Sequence, residues 1–155
     1  MRAAGSVLKK PLYASEQERP DVAAARTSWR KKQLKWVPSH LVFIDETALS
    51  TKMTCTHGRC VIGARLIGRI PFGHWHTTTF IAALREDGLT APMALDGAMN
   101  GPSFLAYVEQ ILAPTLQRGD IVIMDNVQTH KVDGVRQEIE AVGAHLLYLP
   151  AYCRT

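Results

Sequence analysis

Two hydrophobic periods alternate along this chain, and the switches between them mark out its elements. Leu41-Val42-Phe43-Ile44 is a short continuous apolar run closed by Asp45-Glu46-Thr47. It reads as a buried strand that delivers a carboxylate at its carboxyl end. Ile121-Val122-Ile123-Met124 repeats the design and is closed by Asp125-Asn126. Thr77 to Leu84 and Leu89 to Leu95 predict two more strands, and Glu86-Asp87-Gly88 between them predicts a turn that makes them antiparallel neighbours. The period then changes. Phe104, Leu105, Val108, Ile111 and Leu112 fall on one helical face, introduced by Asn100-Gly101-Pro102 and closed by Pro114 and Gly119. A second helix is predicted over Val132 to Val142 with Val135, Ile139 and Val142 inward, and a last strand over His145 to Leu149.

Strands lead and then alternate with helices, which describes an α/β fold with a mixed sheet flanked by helices. Before the first strand, residues 1–13 form a loose lead-in. A helix starting near Pro20 runs to about Lys35, with a thin apolar face of Val22, Ala25 and Trp29. Such a helix suits a docked arm or linker better than a core element. Residues 48–75 carry Gly58, Gly63, Gly68, Pro71 and Gly73 between short apolar pieces. That length predicts a hairpin or a functional loop. The organisation expected is a basic helical arm over residues 1–39 and a catalytic-type domain over 40–155.

Charge sharpens this division. Residues 1–40 hold nine Lys and Arg against three Asp and Glu, whereas residues 41–155 hold nine against eleven, within a net charge of +4. A basic arm attached to a slightly acidic body suits a polyanion held beside metal ions. Taken alone, the arm is explained almost as well as a solvated helix. At 155 residues and 46% hydrophobic composition the chain is long and apolar enough for a real core. No apolar stretch approaches the ~20 residues that span a bilayer. The first ten residues lack the apolar core of a secretory signal, so a cytoplasmic protein without a membrane partner is expected. Cys55, His57 and Cys60 lie close together, with Cys153 far away, but structural zinc sites show a second spaced pair. Unpaired cysteines are the better reading.

Asp45 and Asp125 carry the chemistry. Were their strands adjacent and parallel, both carboxylates would emerge at the same sheet edge, and such pairs hold Mg²⁺ with several waters retained. Two ions ~3.5–4 Å apart then activate a nucleophile and stabilise the leaving oxygen of a phosphodiester. The plainer alternative is that each Asp caps a turn. His130-Lys131, near the start of the second predicted helix, offers a donor pair for a phosphate, and Asn126 is a polar neighbour of the site. His74 and His76 flank Trp75, where packing or DNA contact is a better reading than metal binding. Arg59, Arg65 and Arg69 in the Gly-rich connection would track a backbone or be solvated.

The string FIDET (43–47), residues 57–84, residues 95–116, and GDIVIMDN (119–126) with HK (130–131) resemble bacterial insertion-sequence transposases. The resemblance is to the mariner-like group of the DDE endonuclease superfamily and covers roughly residues 8–152. It implies an RNase H-like fold with Asp45 and Asp125 as the first two catalytic acids and metal ligands. It also implies two Mg²⁺ (or Mn²⁺) ions and cleavage of DNA at transposon ends, followed by strand transfer through the freed 3′-hydroxyl. Asn126, His130 and Lys131 would support the site or contact DNA. The implied partners are DNA, a second copy or a full-length transposase, and the implied location is the bacterial nucleoid. Ala48 stands where the family carries an aromatic residue. The third acid, its helix and the upstream helix-turn-helix have no counterpart, which implies a C-terminally truncated, weak or dead enzyme. Glu138 and Glu140 match no family motif. The alternative is a non-catalytic remnant that binds DNA or a full-length transposase.

Overall fold

Five strands lie in one mixed sheet in the order β3-β2-β1-β4-β5. They are β1 (Leu41–Ser50), β2 (Thr77–Arg85), β3 (Gly88–Asp96), β4 (Ile121–Met124) and β5 (His145–Tyr148). The computed structural model describes residues 18–54, 57–69 and 73–151. β1, β2 and β3 pair antiparallel in sequence, whereas β4 joins β1, and β5 joins β4, in parallel. The Glu86-Asp87-Gly88 turn closes the β2–β3 hairpin as its composition requires, with Gly88 at φ 141°. The parallel strands need crossovers, and helices supply them.

The first crossover begins at α2 (Gly101–Tyr107), where the Asn100 side chain caps the helix by accepting from the Ser103 amide at 2.9 Å. The chain then loosens into a π-helical turn over Val108–Leu112 and tightens into a 3-10 turn over Ala113–Thr115 around Pro114. The second crossover is shorter. A 3-10 turn over Gln128–Lys131 follows β4, and α3 (Val135–Ala141) leads back to β5. The helix predicted from Val132 therefore starts three residues later. Val132 and Asp133 lie outside it, and Gly134 sits at φ 102°, a conformation that suits glycine. Val142, expected inward, is exposed beyond the end of α3.

One face of the sheet carries the core. Val42, Ile44, Ile81, Ala83, Val122, Met124 and Leu146 point into it from the strands, and Phe104, Tyr107, Val108, Leu112, Val135 and Ile139 meet them from the crossovers. Each such burial removes a side chain from water at a gain of about 1.5–3 kcal/mol. β3 gains one residue against β2 between the Ile81–Met93 and Ala83–Thr90 pairs, a bulge with Ala91 at φ 50°. Tyr107 reaches across the core to donate its hydroxyl proton to the Ala91 carbonyl at 2.9 Å. Burial pushes that hydroxyl up to about 12. The opposite face is less covered: Phe43, Phe80 and Leu84 remain 40–50% exposed.

Residues Trp36–Leu149 make one compact unit, and residues up to Lys35 belong to another, together with those from Pro150. The latter contains α1 (Pro20–Gln33), with Pro20 at its first position, Asp21 in its first turn, and Arg30, Lys31 and Lys32 in its last. These charges oppose the helix dipole at each end. Trp29 is its buried residue.

Candidate functional site

β1 and β4 run side by side in register, Leu41 opposite Ile121, Val42 opposite Val122 and Phe43 opposite Ile123. Two residues further along each chain, toward the same end of the sheet, stand Asp45 and Asp125, past the last residues of the β1–β4 pairing. β4 stops at Met124, however, while β1 continues to Ser50 by pairing with β2 through Thr47–Phe80, Ala48–Thr79 and Ser50–Thr77. Asp45 therefore lies in mid-strand and not at the strand end that the apolar run predicted. The reason is the β-branched threonines of β2, which extend the ladder past the point where hydrophobic pattern alone ends it.

Strand alternation puts Phe43, Asp45 and Thr47 on the open face, and Val42, Ile44 and Glu46 on the core face. Asp45 is exposed, and its Oδ1 accepts from the Glu46 amide at 3.0 Å. Beside it an open depression of about 400 Å³ is lined by Phe43, Asp45, Thr47, Phe80, Ala82 and Leu84. Asp125, just beyond β4, is freed from strand geometry. Its side chain is 47% exposed, and its Oδ1 lies 2.6 Å from His130 Nδ1. That is an ion-pair distance at which hydrogen-bond angles are not met.

His130 occupies the centre of this arrangement. Its other ring nitrogen, Nε2, lies 3.0 Å from Glu46 Oε2 and 3.2 Å from Oε1. The imidazole is buried and stacks on Phe104 with ring centroids 4.2 Å apart. Its backbone is pinned as well, because Tyr148 donates its hydroxyl proton to the His130 carbonyl at 2.9 Å. The His130 ring is thus turned inward, between the apolar Phe104 and the two carboxylates. Lys131 is exposed, with its ammonium 5.9 Å from the Tyr148 ring centroid, and Asn126 is exposed beside Asp125. Burial raises the Tyr148 hydroxyl above its ordinary value, with the Arg136 charge acting in the opposite direction.

Sequence reasoning missed the role of Glu46, which it treated as a polar neighbour of Asp45. The signal was the strand period itself, which sends consecutive residues to opposite faces. The Arg85–Asp120 pair, at the other end of the sheet, was also missed. Asp120 is buried, and Arg85 bonds both its carboxylate and the Thr115 carbonyl. Burial acts to raise the Asp120 carboxyl. The Arg85 hydrogen bond, the Gln117 amide and the charges of Arg85 and His40 outweigh it, so the carboxyl is held below its ordinary value.

His74 and His76 lie exposed before β2 begins, with the His76 amide donating to Thr51 Oγ1 at 3.0 Å. Arg59, Arg65 and Arg69 are exposed in irregular chain. Cys60 is an exposed free thiol, while Cys55 and Cys153 lie outside the described residues. Among the described residues no group of three His, Cys, Asp or Glu side chains is arranged to hold a metal ion. Asp45 and Asp125 fit a hard divalent cation in their donor chemistry, since both are carboxylates near solvent.

Residues 40–154 match the family model described as DDE superfamily endonuclease. The chain belongs to that superfamily. DDE superfamily members of known structure share its fold. The Mos1 transposase paired-end complex with left transposon end superposes with a TM-score of 0.61 at 16% identity, covering 96% of this chain and 48% of that one. The Mos1 mariner paired end complex with Mg gives 0.62 at 17% identity, covering 98% and 48%. The catalytic domain of Mos1 mariner transposase gives 0.60 at 14% identity, covering 93% and 66%. The chain thus spans about half the length of the paired-end transposase structures it resembles. Its five-stranded mixed sheet has the RNase H-like architecture of these DDE catalytic domains. No curated protein matches it in sequence.

Proposed function

We propose that this DDE superfamily chain is a transposase catalytic domain that takes part in cleaving DNA at transposon ends and in strand transfer. The observation that supports the reading is that Asp45 and Asp125 each follow the Phe43–Ile123 pair of the parallel β1–β4 ladder by two residues, in a chain of an endonuclease family. Residues 40–155 are the catalytic part in this reading and residues 1–39 a basic arm. A bacterial insertion sequence is the source implied by the sequence resemblance, with the nucleoid as the place of action. No helix of the described residues is long and apolar enough to cross a membrane.

Asp45 and Asp125 are the residues that would hold Mg²⁺ or Mn²⁺. When bound, the ions supply an activated oxygen nucleophile and stabilise the leaving oxygen of the phosphodiester. The chain's own contribution is to bind and orient. Asp45 stands on a strand paired with β4 over Leu41 to Phe43 and with β2 from Phe43 onward. Asp125 is held at its position by the buried His130 ring. Asn126 and Lys131, which follow Asp125 in the chain, are both exposed and suited to phosphate oxygens. Mg²⁺-dependent nicking of plasmid DNA, compared between wild type and Asp45→Ala, tests the part these carboxylates play in cleavage. The transposase reading itself is tested by Mn²⁺ binding: it requires binding that Asp45→Ala and Asp125→Ala each weaken.

A second reading is supported by α1, whose last turn exposes Arg30, Lys31 and Lys32. In that reading the chain binds DNA or a full-length transposase without cutting. Salt-sensitive DNA binding that survives Asp45→Ala with Asp125→Ala, and produces no nicks, favours it.

A further inference from the structure

We propose that Glu46 and His130 are positioning residues that act as one unit to set the orientation of Asp125; the proposal rests on the reading of Asp125 as a metal ligand. Four observations converge. The His130 ring is buried, and each of its nitrogens meets a different carboxylate, Asp125 Oδ1 at 2.6 Å and Glu46 Oε2 at 3.0 Å. Phe104 fixes the plane of the ring from one side. Tyr148 holds the backbone that carries it. Glu46 comes from the strand whose next residue on the other face is Asp45, so one segment of β1 touches both halves of the site. Asp125 itself has left the sheet ladder; the Val127 amide donates to its Oδ1 at 3.4 Å, and the imidazole meets the same oxygen.

The consequence is a division of labour within Asp125. Its Oδ1 is turned toward His130, which leaves the other oxygen directed away from the ring. Glu46 meets the ring at Nε2, so its effect reaches Asp125 through His130 and not by contact. A metal-binding carboxylate is commonly oriented by such outer partners, whose loss costs about 10–100-fold in metal affinity.

The role separates from simple packing by substitution. His130→Leu fills the space beside Phe104 but offers no donor. His130→Asn keeps a donor near the position of Nδ1 and loses the reach to Glu46. Mn²⁺ affinity measured by electron paramagnetic resonance should fall about 10–100-fold in His130→Leu and recover only in part in His130→Asn. Glu46→Gln should shift the carboxyl ¹³C resonance of Asp125 in metal-free protein, although the two side chains do not touch. Unchanged Mn²⁺ affinity in His130→Leu, or an Asp125 resonance unmoved by Glu46→Gln, would overturn the proposal. Should wild-type chain bind Mn²⁺ no better than Asp45→Ala, the metal-ligand reading fails, while the metal-free resonance still decides whether Glu46 and His130 orient Asp125.

Discussion

Phe43 and Ile123 face each other across the parallel β1–β4 pairing, and Asp45 and Asp125 each follow two residues later in their chains. Neither carboxylate is needed for the core: Asp45 is exposed and Asp125 is half exposed. Asp45→Asn and Asp125→Asn should therefore leave stability within about 0.5 kcal/mol of wild type. Each should weaken Mn²⁺ binding by on the order of 100-fold, at least the loss expected for an outer-shell partner. Parallel thermal melts and metal titrations check both halves of this expectation. A large loss of stability would mean that the two residues serve the fold.

The Arg85–Asp120 pair sets the acid limit of the fold. Because the folded carboxyl is held below its ordinary value, its contribution is full above the unfolded value near about 3.9 and disappears as pH falls through the lower folded value. Denaturant titrations of wild type should show stability falling below about pH 4, and Asp120→Asn should lack that component of the fall. At neutral pH, Arg85→Ala leaves a buried charge unpaired and should cost about 3–5 kcal/mol.

Much of this architecture was legible in the residues. The five strands, their order of appearance and the two helical crossovers follow from apolar runs, the Asn100-Gly101-Pro102 start and the Gly143 stop. What was illegible depended on partners distant in sequence. Thr47 to Ser50 read as loop because their strand partners, Thr77 to Phe80, lie across a long irregular connection. His130 read as an exposed turn residue because nothing nearby in sequence announces the burial provided by Phe104. Asp120 gave no local sign of Arg85, 35 positions away. The pattern of single elements is local, whereas the environment of a polar side chain is set by whichever elements fold onto it.

Tyr107 ties the second half of the hairpin to the first crossover. Tyr107→Phe removes the hydroxyl that satisfies the Ala91 carbonyl at the β3 bulge while keeping the ring. A loss of about 1–3 kcal/mol is expected, read by chemical denaturation. A neutral result would show that the bulge carbonyl finds water instead.

Gly101 sets how closely α2 approaches the turn that carries His130. A Cβ added there would stand 2.5 Å from Val132 Cγ2, and valine has little freedom to move aside. Gly101→Ala should destabilise by about 1–3 kcal/mol. Hydrogen exchange should show the strain concentrated over residues 128–134, next to the site.

For the basic helix, the expected signature is ionic. Were Arg30, Lys31 and Lys32 to contact duplex phosphates, replacing each by Ala should lower the slope of log affinity against log salt by about 0.9. Equal slopes in wild type and the triple variant would assign these residues to solvent.

The central claim is that Asp45 and Asp125 share a metal. Anomalous diffraction from crystals of the chain soaked in Mn²⁺ tests it most directly. The account predicts a peak within about 2–2.3 Å of an oxygen from each of the two side chains. Mn²⁺ bound elsewhere, with both carboxylates free of it at saturating concentration, would contradict it.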